Sequence, residues 1–448
     1  MMGAAISLDG TRSPAQPGRY TERSMAGAST NELMERAGVR SVDELAEEGG
    51  VRDCLRWFAA ERRWIDQKHL ELCRIPAPTF QEDDRAAWMA DEFRALGYKV
   101  TIDRAGNVIA SCPAVSEGPF VALTAHLDTV LAPRKPEDIS VAGNGRLEGP
   151  GVSDNGSGLA ALLATAAAIG KQPDLAELKE RLLFVANVGE EGEGNLSGMR
   201  YLCRQSGLGE KIRCFLVLDG PSTEHITSKA VSSRRFEVTI SGPGGHSWSD
   251  FGLGNPVHAL SRAISLFAGE RAKSRQSGPD EKGERTTFNF GVFDGGASVN
   301  AIPVSARAKL DIRSESPSRI EEMAALLTAS VEDALAAENS LSPGPKLTAR
   351  IREIGFRPGG GLPPDAAILQ YIRAVDAHLG IRAREDCAST DANIPLSLGL
   401  AAVSIGAGGQ GGGAHTPDEW YNPAGREIGL KRVLLVLCLL SRGGEAER

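Results

Sequence analysis

The chain is short of paired cysteines, of membrane-length apolar runs and of positive charge. Each shortage removes a class of protein. Its seven cysteines (Cys54, Cys73, Cys112, Cys203, Cys214, Cys387 and Cys438) are scattered, odd in number and without CxxC spacing. That pattern excludes a disulfide framework and a zinc–thiolate site, and it fits free thiols in a reducing cytoplasm. Residues 1–25 lack the apolar stretch of a signal peptide. The longest apolar run, VLLVLCLL at 433–440, is too short to span a bilayer and reads as a buried terminal helix. Asp and Glu outnumber Lys and Arg by 58 to 50, a formal net charge of −8. This balance argues against nucleic acid or a membrane surface as partner, and leaves small molecules, peptides or metal cations. A cytoplasmic protein is expected.

What the chain has is length and glycine. Its 448 residues exceed one ordinary core, so two domains are the default. Its 52 glycines follow no collagen-like period. Residues 1–28 are polar and rich in small side chains and are expected to be mobile. From Ser29 to about Leu96 apolar residues recur at three- and four-residue spacing, the helical period. Short apolar runs follow: YKVTI (98–102), NVIASC (107–112), FVALTA (120–125), LLFVANV (182–188), CFLVL (214–218) and AAVSI (401–405). Several are continuous rather than alternating, as strands buried on both faces of an α/β sheet require. Between 229 and 355 the order changes to strand–helix–strand–strand–helix–strand, a ferredoxin-like unit. The reading is therefore an α/β domain, 29–228 and 356–448, with a mixed sheet flanked by helices. A small α+β domain, 229–355, interrupts it.

Acidic and histidine residues follow the buried strands. FVALTA leads into His126-Leu127-Asp128, LLFVANV into Gly189-Glu190-Glu191, CFLVL into Asp219, and AAVSI, after a glycine-rich loop, into His415. Asp154 lies in GPGVSDNG, just before the small-residue helix 158–169. Carboxyl ends of strands form the binding crevice of open α/β sheets, so these groups are expected to converge. Two histidines and several carboxylates without cysteine suit zinc, manganese or cobalt, and a pair of ions needs a bridging carboxylate. Each element alone has an ordinary reading; Asp154, for example, is well placed to cap a helix. Their convergence at four strand ends is what argues for chemistry. The run Ile405–Gly413 lacks the Lys-Ser/Thr of a phosphate loop and reads as backbone facing substrate beside His415.

The runs AHLDTV (125–130), GPGVSDNGSG (149–158), NVGEEGEGN (187–195), LDG (218–220), GPGGHS (242–247) and GGGAHTPDEW (411–420) resemble the co-catalytic zinc peptidases. That family includes peptidase T, carboxypeptidase G, aminoacylase, acetylornithine deacetylase and succinyl-diaminopimelate desuccinylase. The resemblance runs from about residue 60 to the C-terminus and leaves the N-terminal 50 or 60 residues outside. It implies two divalent ions, zinc first and manganese or cobalt as alternatives. His126, Asp154 and Asp219 would hold one, and Asp154, Glu191 and His415 the other, with Asp154 bridging. It makes Asp128 the carboxylate that orients His126, and Glu190 the general base that takes a proton from the attacking water. The inserted domain resembles the family's lid, through which members form homodimers. His246 (GGHS), Asn300 (SVNAIP) and Arg313 (LDIRS) match lid positions that hold substrate, His246 often across the dimer. Arg313 has an ordinary alternative as a surface ion pair. Thr390-Asp391 resembles a motif near the active site, with no role assigned.

These features lead to a metal-dependent hydrolase of a C–N bond, an aminopeptidase or dipeptidase on short peptides. An aspartate at position 219 tends, in the resembling family, to accompany such enzymes. The first rival keeps the machinery and takes an N-acyl amino acid or another small amine-bearing compound, as an amidohydrolase or aminohydrolase. The second is a catalytically silent dimeric binding protein, which intact Glu190 and five intact ligand positions weigh against.

Overall fold

The computed structural model describes residues 6–9, 29–114, 117–273 and 284–443. The chain divides into two units, one of Pro17–Ala230 with Gly360–Arg448, the other of Val231–Gly359 with Met1–Gln16.

The larger unit is built on a nine-stranded mixed sheet. Its strands run in the order Gly360–Gly361, His225–Ala230, Ala401–Ile405, Ile212–Leu218, Phe120–His126, Leu182–Asn187, Val108–Ser111 and Lys99–Ile102. Arg384–Ala388 pairs alongside His225–Ala230. The four central strands, from Ala401–Ile405 to Leu182–Asn187, are mutually parallel. Their registers set His126 against Asn187 and Ile405 against Leu218, so the carboxyl ends line one edge. Phe120–His126 and Leu182–Asn187 are buried at every position, as continuous apolar runs covered on both faces should be. The helix Gly156–Gly170 is buried along nearly its whole length. Its alanines and glycines leave no bulky face to hold neighbouring elements away.

The helical stretch expected from Ser29 to Leu96 is divided into Thr30–Arg36, Val42–Glu47, Gly49–Ala60, Arg62–Cys73 and Asp83–Ala95. Ser29 and Glu32 close the first with reciprocal side-chain-to-backbone bonds. Leu33, Val42, Leu45, Val51 and Phe58 enter the same core as the C-terminal helix Arg426–Arg442. Residues 29–60, which lie outside the family resemblance, are thus packed into the larger unit. Within the C-terminal helix, Arg432 is fully buried and pairs with Asp376 through two hydrogen bonds of 2.6 and 2.5 Å.

The smaller unit holds a five-stranded sheet in the order Ile6–Asp9, Thr348–Arg357, Ser232–Ser241, Ser305–Ser314 and Thr286–Gly295. The helices Pro256–Lys273 and Pro317–Leu341 contribute Leu260, Phe267, Leu327 and Val331 to its core. Ser305–Ser314 alternates exposed and buried residues, the signature of a sheet covered on one face. Within 1–28, expected to be mobile, Ile6–Asp9 is a strand running parallel to Thr348–Arg357. The rest of that stretch lies outside the described residues.

Candidate active site

The central sheet supplies one half of the site. His126 ends the strand Phe120–His126, Glu190 and Glu191 follow Leu182–Asn187, and Asp219 follows Ile212–Leu218. The other half comes from a four-stranded sheet of very short strands: Gln410–Gly412, Trp420–Asn422, Leu147–Glu148 and Ser140–Val141. Leu147–Glu148 leads into the loop of Asp154, and it pairs with Trp420 and Tyr421 of the hairpin whose loop carries His415. Glycines before His415 pack closely against neighbouring segments of the protein. A Cβ on Gly406 would stand 1.9 Å from the Ser222 carbonyl oxygen, so only glycine lets these backbones meet.

Asp154 is the centre of the arrangement. Its Oδ1 lies 3.2 Å from His126 Nε2, and its Oδ2 lies 3.1 Å from His415 Nε2. On the first side Asp219 Oδ1 is 4.0 Å from His126 Nε2; on the second, Glu191 Oε1 is 3.0 Å from His415 Nε2. Donor atoms of His126, Asp154 and Glu191 all lie within 4.8 Å of one another. The electrostatics follow from crowding these carboxylates. Burial and the Asp154 charge push the Asp219 carboxyl up to about 7, and burial raises that of Glu191. The Asp154 carboxylate pushes His415 up to about 9. Burial opposes a proton on His126, but Asp128 and Asp154 outweigh it and raise its pKa well above the usual value. Burial would raise Asp154 too, yet the two imidazoles hold it low.

Asp128 stands between His126 and the loop of Glu190. The Nδ1 of His126 is 2.9 Å from the Asp128 carbonyl oxygen and 3.6 Å from its carboxylate. The buried carboxylate accepts from the Glu190 and Glu191 amides and the Thr79 hydroxyl, each at 2.9 Å. It thereby fixes the backbone of Glu190, which is itself buried. Glu82 accepts from the amide of Gly189 at 3.1 Å, one residue earlier in the same loop.

Several supporting residues carry no role in the sequence reading. The cap of helix Gly156–Gly170 is Asn155, not Asp154: its Oδ1 accepts from the amide of Gly158 at 3.2 Å. Asn155 also donates to the Leu218 carbonyl at 2.8 Å, tying the Asp154 loop to the strand that precedes Asp219. His69, which falls outside every motif, is fully buried, and its Nε2 lies 2.8 Å from the Val152 carbonyl oxygen. Arg426 bonds its other nitrogen at 2.8 Å. Burial, then the Arg426 charge, keeps His69 far below the usual imidazole pKa, so it is neutral and donates from Nε2. Asn187 donates to Asp391 at 2.6 Å, which puts the Thr390-Asp391 motif at the strand end beside Gly189 and Glu190. A histidine at i−4 from Cys73 on an amphipathic helix gives no sequence signal of such a role. The HxxxE spacing of His415 and Glu419 is visible, but its meaning depends on partners more than 260 residues away.

His246, Asn300 and Arg313 belong to the smaller unit. His246 lies on the short strand Gly245–His246 and pairs with Ala301. Its Nδ1 accepts from the amides of Trp248 and Ser249 at 3.2 and 3.4 Å, which leaves the proton on Nε2. Asn300 is exposed, and its Oδ1 accepts from Ser298 at 2.6 Å. Arg313 Nε is paired with Asp311 at 2.8 Å, the ordinary ion pair that was its alternative.

The donor set fits divalent cations. It is made of nitrogen and oxygen only, and several carboxylates share one pocket. The buried Asp154 Oδ1 lacks a well-formed hydrogen bond although an imidazole nitrogen is 3.2 Å away. Among the described residues no helix is long and apolar enough to cross a membrane.

Comparison with known proteins agrees with the geometry. A family model described as Peptidase family M20/M25/M40 matches residues 122–438. A probable carboxypeptidase of Aspergillus clavatus is 28% identical over 286 residues, 59% of this chain and 61% of that protein. The cytosol non-specific dipeptidase of Escherichia coli K12 is 26% identical over 276 residues, 55% of this chain and 52% of that protein. The chain therefore spans between half and two thirds of the length of these curated relatives. A tripeptidase from Staphylococcus aureus has the same fold, with a TM-score of 0.67 and 22% identity over 85% of this chain and 98% of that one. The matched family region covers well over half of the chain, and on that ground the protein belongs to peptidase family M20/M25/M40.

Proposed function

We propose that the protein is a binuclear metal-dependent hydrolase of an amide or peptide C–N bond, acting as an aminopeptidase or dipeptidase on short peptides in the cytoplasm. The observation that carries this reading is that the two carboxylate oxygens of Asp154 face two different imidazoles. His126, Asp154 and Asp219 would hold one divalent cation, and Asp154, Glu191 and His415 a second. Zinc is the first candidate, with manganese and cobalt as alternatives. Bound there, such ions polarise the scissile carbonyl and make the attacking water more acidic. Glu190 takes that water's proton and returns it to the leaving nitrogen, held for the task by the Asp128 carboxylate on its amide. His246, with its proton on Nε2, donates to the carbonyl oxygen as it gains charge. Asn300 and Arg313 contact the rest of the substrate.

We also propose a homodimer through the smaller unit as a lid. Trp248 and Phe251 there are 86% and 89% exposed, and the edge strand Thr286–Gly295 presents Val292 and Phe293. The E. coli relative named a dipeptidase supports the peptide reading. A succinyl-diaminopimelate desuccinylase of Coxiella burnetii, 26% identical over 208 residues, supports the rival in which an N-acyl compound is cut.

The test is hydrolysis of di- and tripeptides, N-blocked peptides, N-acyl amino acids and small aromatic amides, with metal content measured in parallel. Release of free N-terminal residues is expected, lost on chelation and restored by zinc, manganese or cobalt. Full activity in metal-stripped protein refutes the mechanism. Turnover of N-acyl compounds alone selects the rival.

A further inference from the structure

We infer that Glu419 is a positioning residue that sets the separation of Asp154 and His415. The inference rests on the proposed metal centre. Glu419 is buried and stands four residues after His415 in the same hairpin loop. Its Oε1 accepts from the amides of Ser153 and Asp154, each at 2.8 Å, and its Oε2 accepts from the amide of Gly151 at 2.7 Å. Its own carbonyl oxygen accepts from the amide of Gly149 at 2.8 Å. One residue of the His415 loop therefore takes four donors from the segment that presents Asp154.

The segment cannot yield on its other side. His69 Nε2 donates to the Val152 carbonyl, and a Cβ on Gly151 would stand 2.5 Å from Thr129 Cγ2. Three amides converge on this one side chain, and a carboxyl group is the side chain that offers acceptor oxygens at both of its positions. A glutamine would turn an NH₂ group toward at least one amide donor. A cation shared by Asp154 and His415 tolerates only small errors in their spacing, so Glu419 acts on metal affinity through Asp154 and touches no substrate.

The experiment compares Glu419→Gln and Glu419→Asp with wild type by cobalt(II) titration of the metal-free protein, followed by visible absorption and metal stoichiometry. Asp keeps the charge but is one methylene too short to reach Gly151 and Asp154 together, and it remains informative if the Gln variant does not fold. Phe58→Leu, a core change in the N-terminal helices, serves as the stability control. Both Glu419 variants are expected to lose cobalt affinity about 10- to 100-fold, with a changed spectrum. Phe58→Leu lowers the melting temperature and keeps both. Wild-type affinity and spectrum in either folded Glu419 variant overturns the inference. Equal losses in Phe58→Leu overturn it as well, since general destabilisation then suffices. Wild-type protein that binds no divalent ion refutes the metal centre itself, a result distinct from the other two.

Discussion

Asp128→Asn separates two roles that a single carboxylate could hold. The carboxylate accepts from the Glu190 amide on Oδ1 and from the Glu191 amide and Thr79 hydroxyl on Oδ2, all at 2.9 Å. Asparagine keeps one of those oxygens. Whichever way it turns, its NH₂ faces one of the two loop amides, and that buried donor loses its acceptor. A hydrogen bond to a charged group contributes about 1.5–3 kcal/mol. At about 1.4 kcal/mol per factor of ten, a cost borne in the transition state lowers kcat/KM roughly 10- to 100-fold. His126 is affected less, because the Asp128 carbonyl that meets its Nδ1 is unchanged. The expected result is a fall in kcat and in the urea midpoint, with metal content held near that of wild type. Wild-type kcat/KM together with a lowered midpoint would mean that Asp128 supports the fold without aiming Glu190. Loss of metal with an unchanged midpoint would restore the carboxylate as the group that orients His126 and refute its assignment to the Glu190 loop.

Glu190→Gln should lower kcat by about 10²- to 10⁴-fold while metal content is retained, and near-wild-type turnover would remove Glu190 as general base. Arg432→Met strands the buried carboxylate of Asp376 and should cost about 3–5 kcal/mol in chemical denaturation. The double change Arg432→Met with Asp376→Leu should recover most of it, and a double variant no better than the single would refute the desolvation argument. Burial pushes the thiols of Cys54, Cys73, Cys203 and Cys438 up to about 12. Thiolate is the reactive form, so at pH 8 about one in ten thousand of these groups can be alkylated. Mass spectrometry should find them unmodified by iodoacetamide until the protein is unfolded, and rapid native labelling of Cys73 would count against that burial.

The elements legible in the sequence are those whose local composition carries the whole signal. FVALTA and LLFVANV announce buried strands because every residue must be apolar when both faces are covered. HITSKA (His225–Ala230) and REDCA (Arg384–Ala388) form strands of the same sheet, yet they show neither alternation nor a run. Their pairing with each other holds them, supported by Asp386 accepting from Thr227 Oγ1 at 2.6 Å and lying 2.7 Å from His225 Nδ1. The four-stranded sheet was invisible for another reason: strands of two or three residues have no period to detect. Ile6–Asp9 sits in a polar, small-residue stretch, where composition argues for mobility. Of the site, the groups at the strand ends were legible because strand polarity alone places them on one edge. Glu419, Asn155 and His69 were not, because each acts through backbone atoms distant in sequence.

That division has a physical reason. As the proposed bridging carboxylate, Asp154 would have to be fixed with respect to the groups on both of its sides, and the two histidines it faces come from different sheets. His126, Asp219 and Glu191 leave the carboxyl edge of the parallel strands in the large mixed sheet, whereas His415 stands on a hairpin of the small one. The loop that carries Asp154 is bound to each. Asn155, the next residue, donates to the Leu218 carbonyl and accepts from the Gly220 amide at 3.3 Å, which fastens the loop on either side of Asp219. Glu419 fastens the loop to the His415 hairpin. The two carboxylate oxygens of Asp154 can meet two imidazoles at 3.1 and 3.2 Å because the backbone around them is fastened to both sheets.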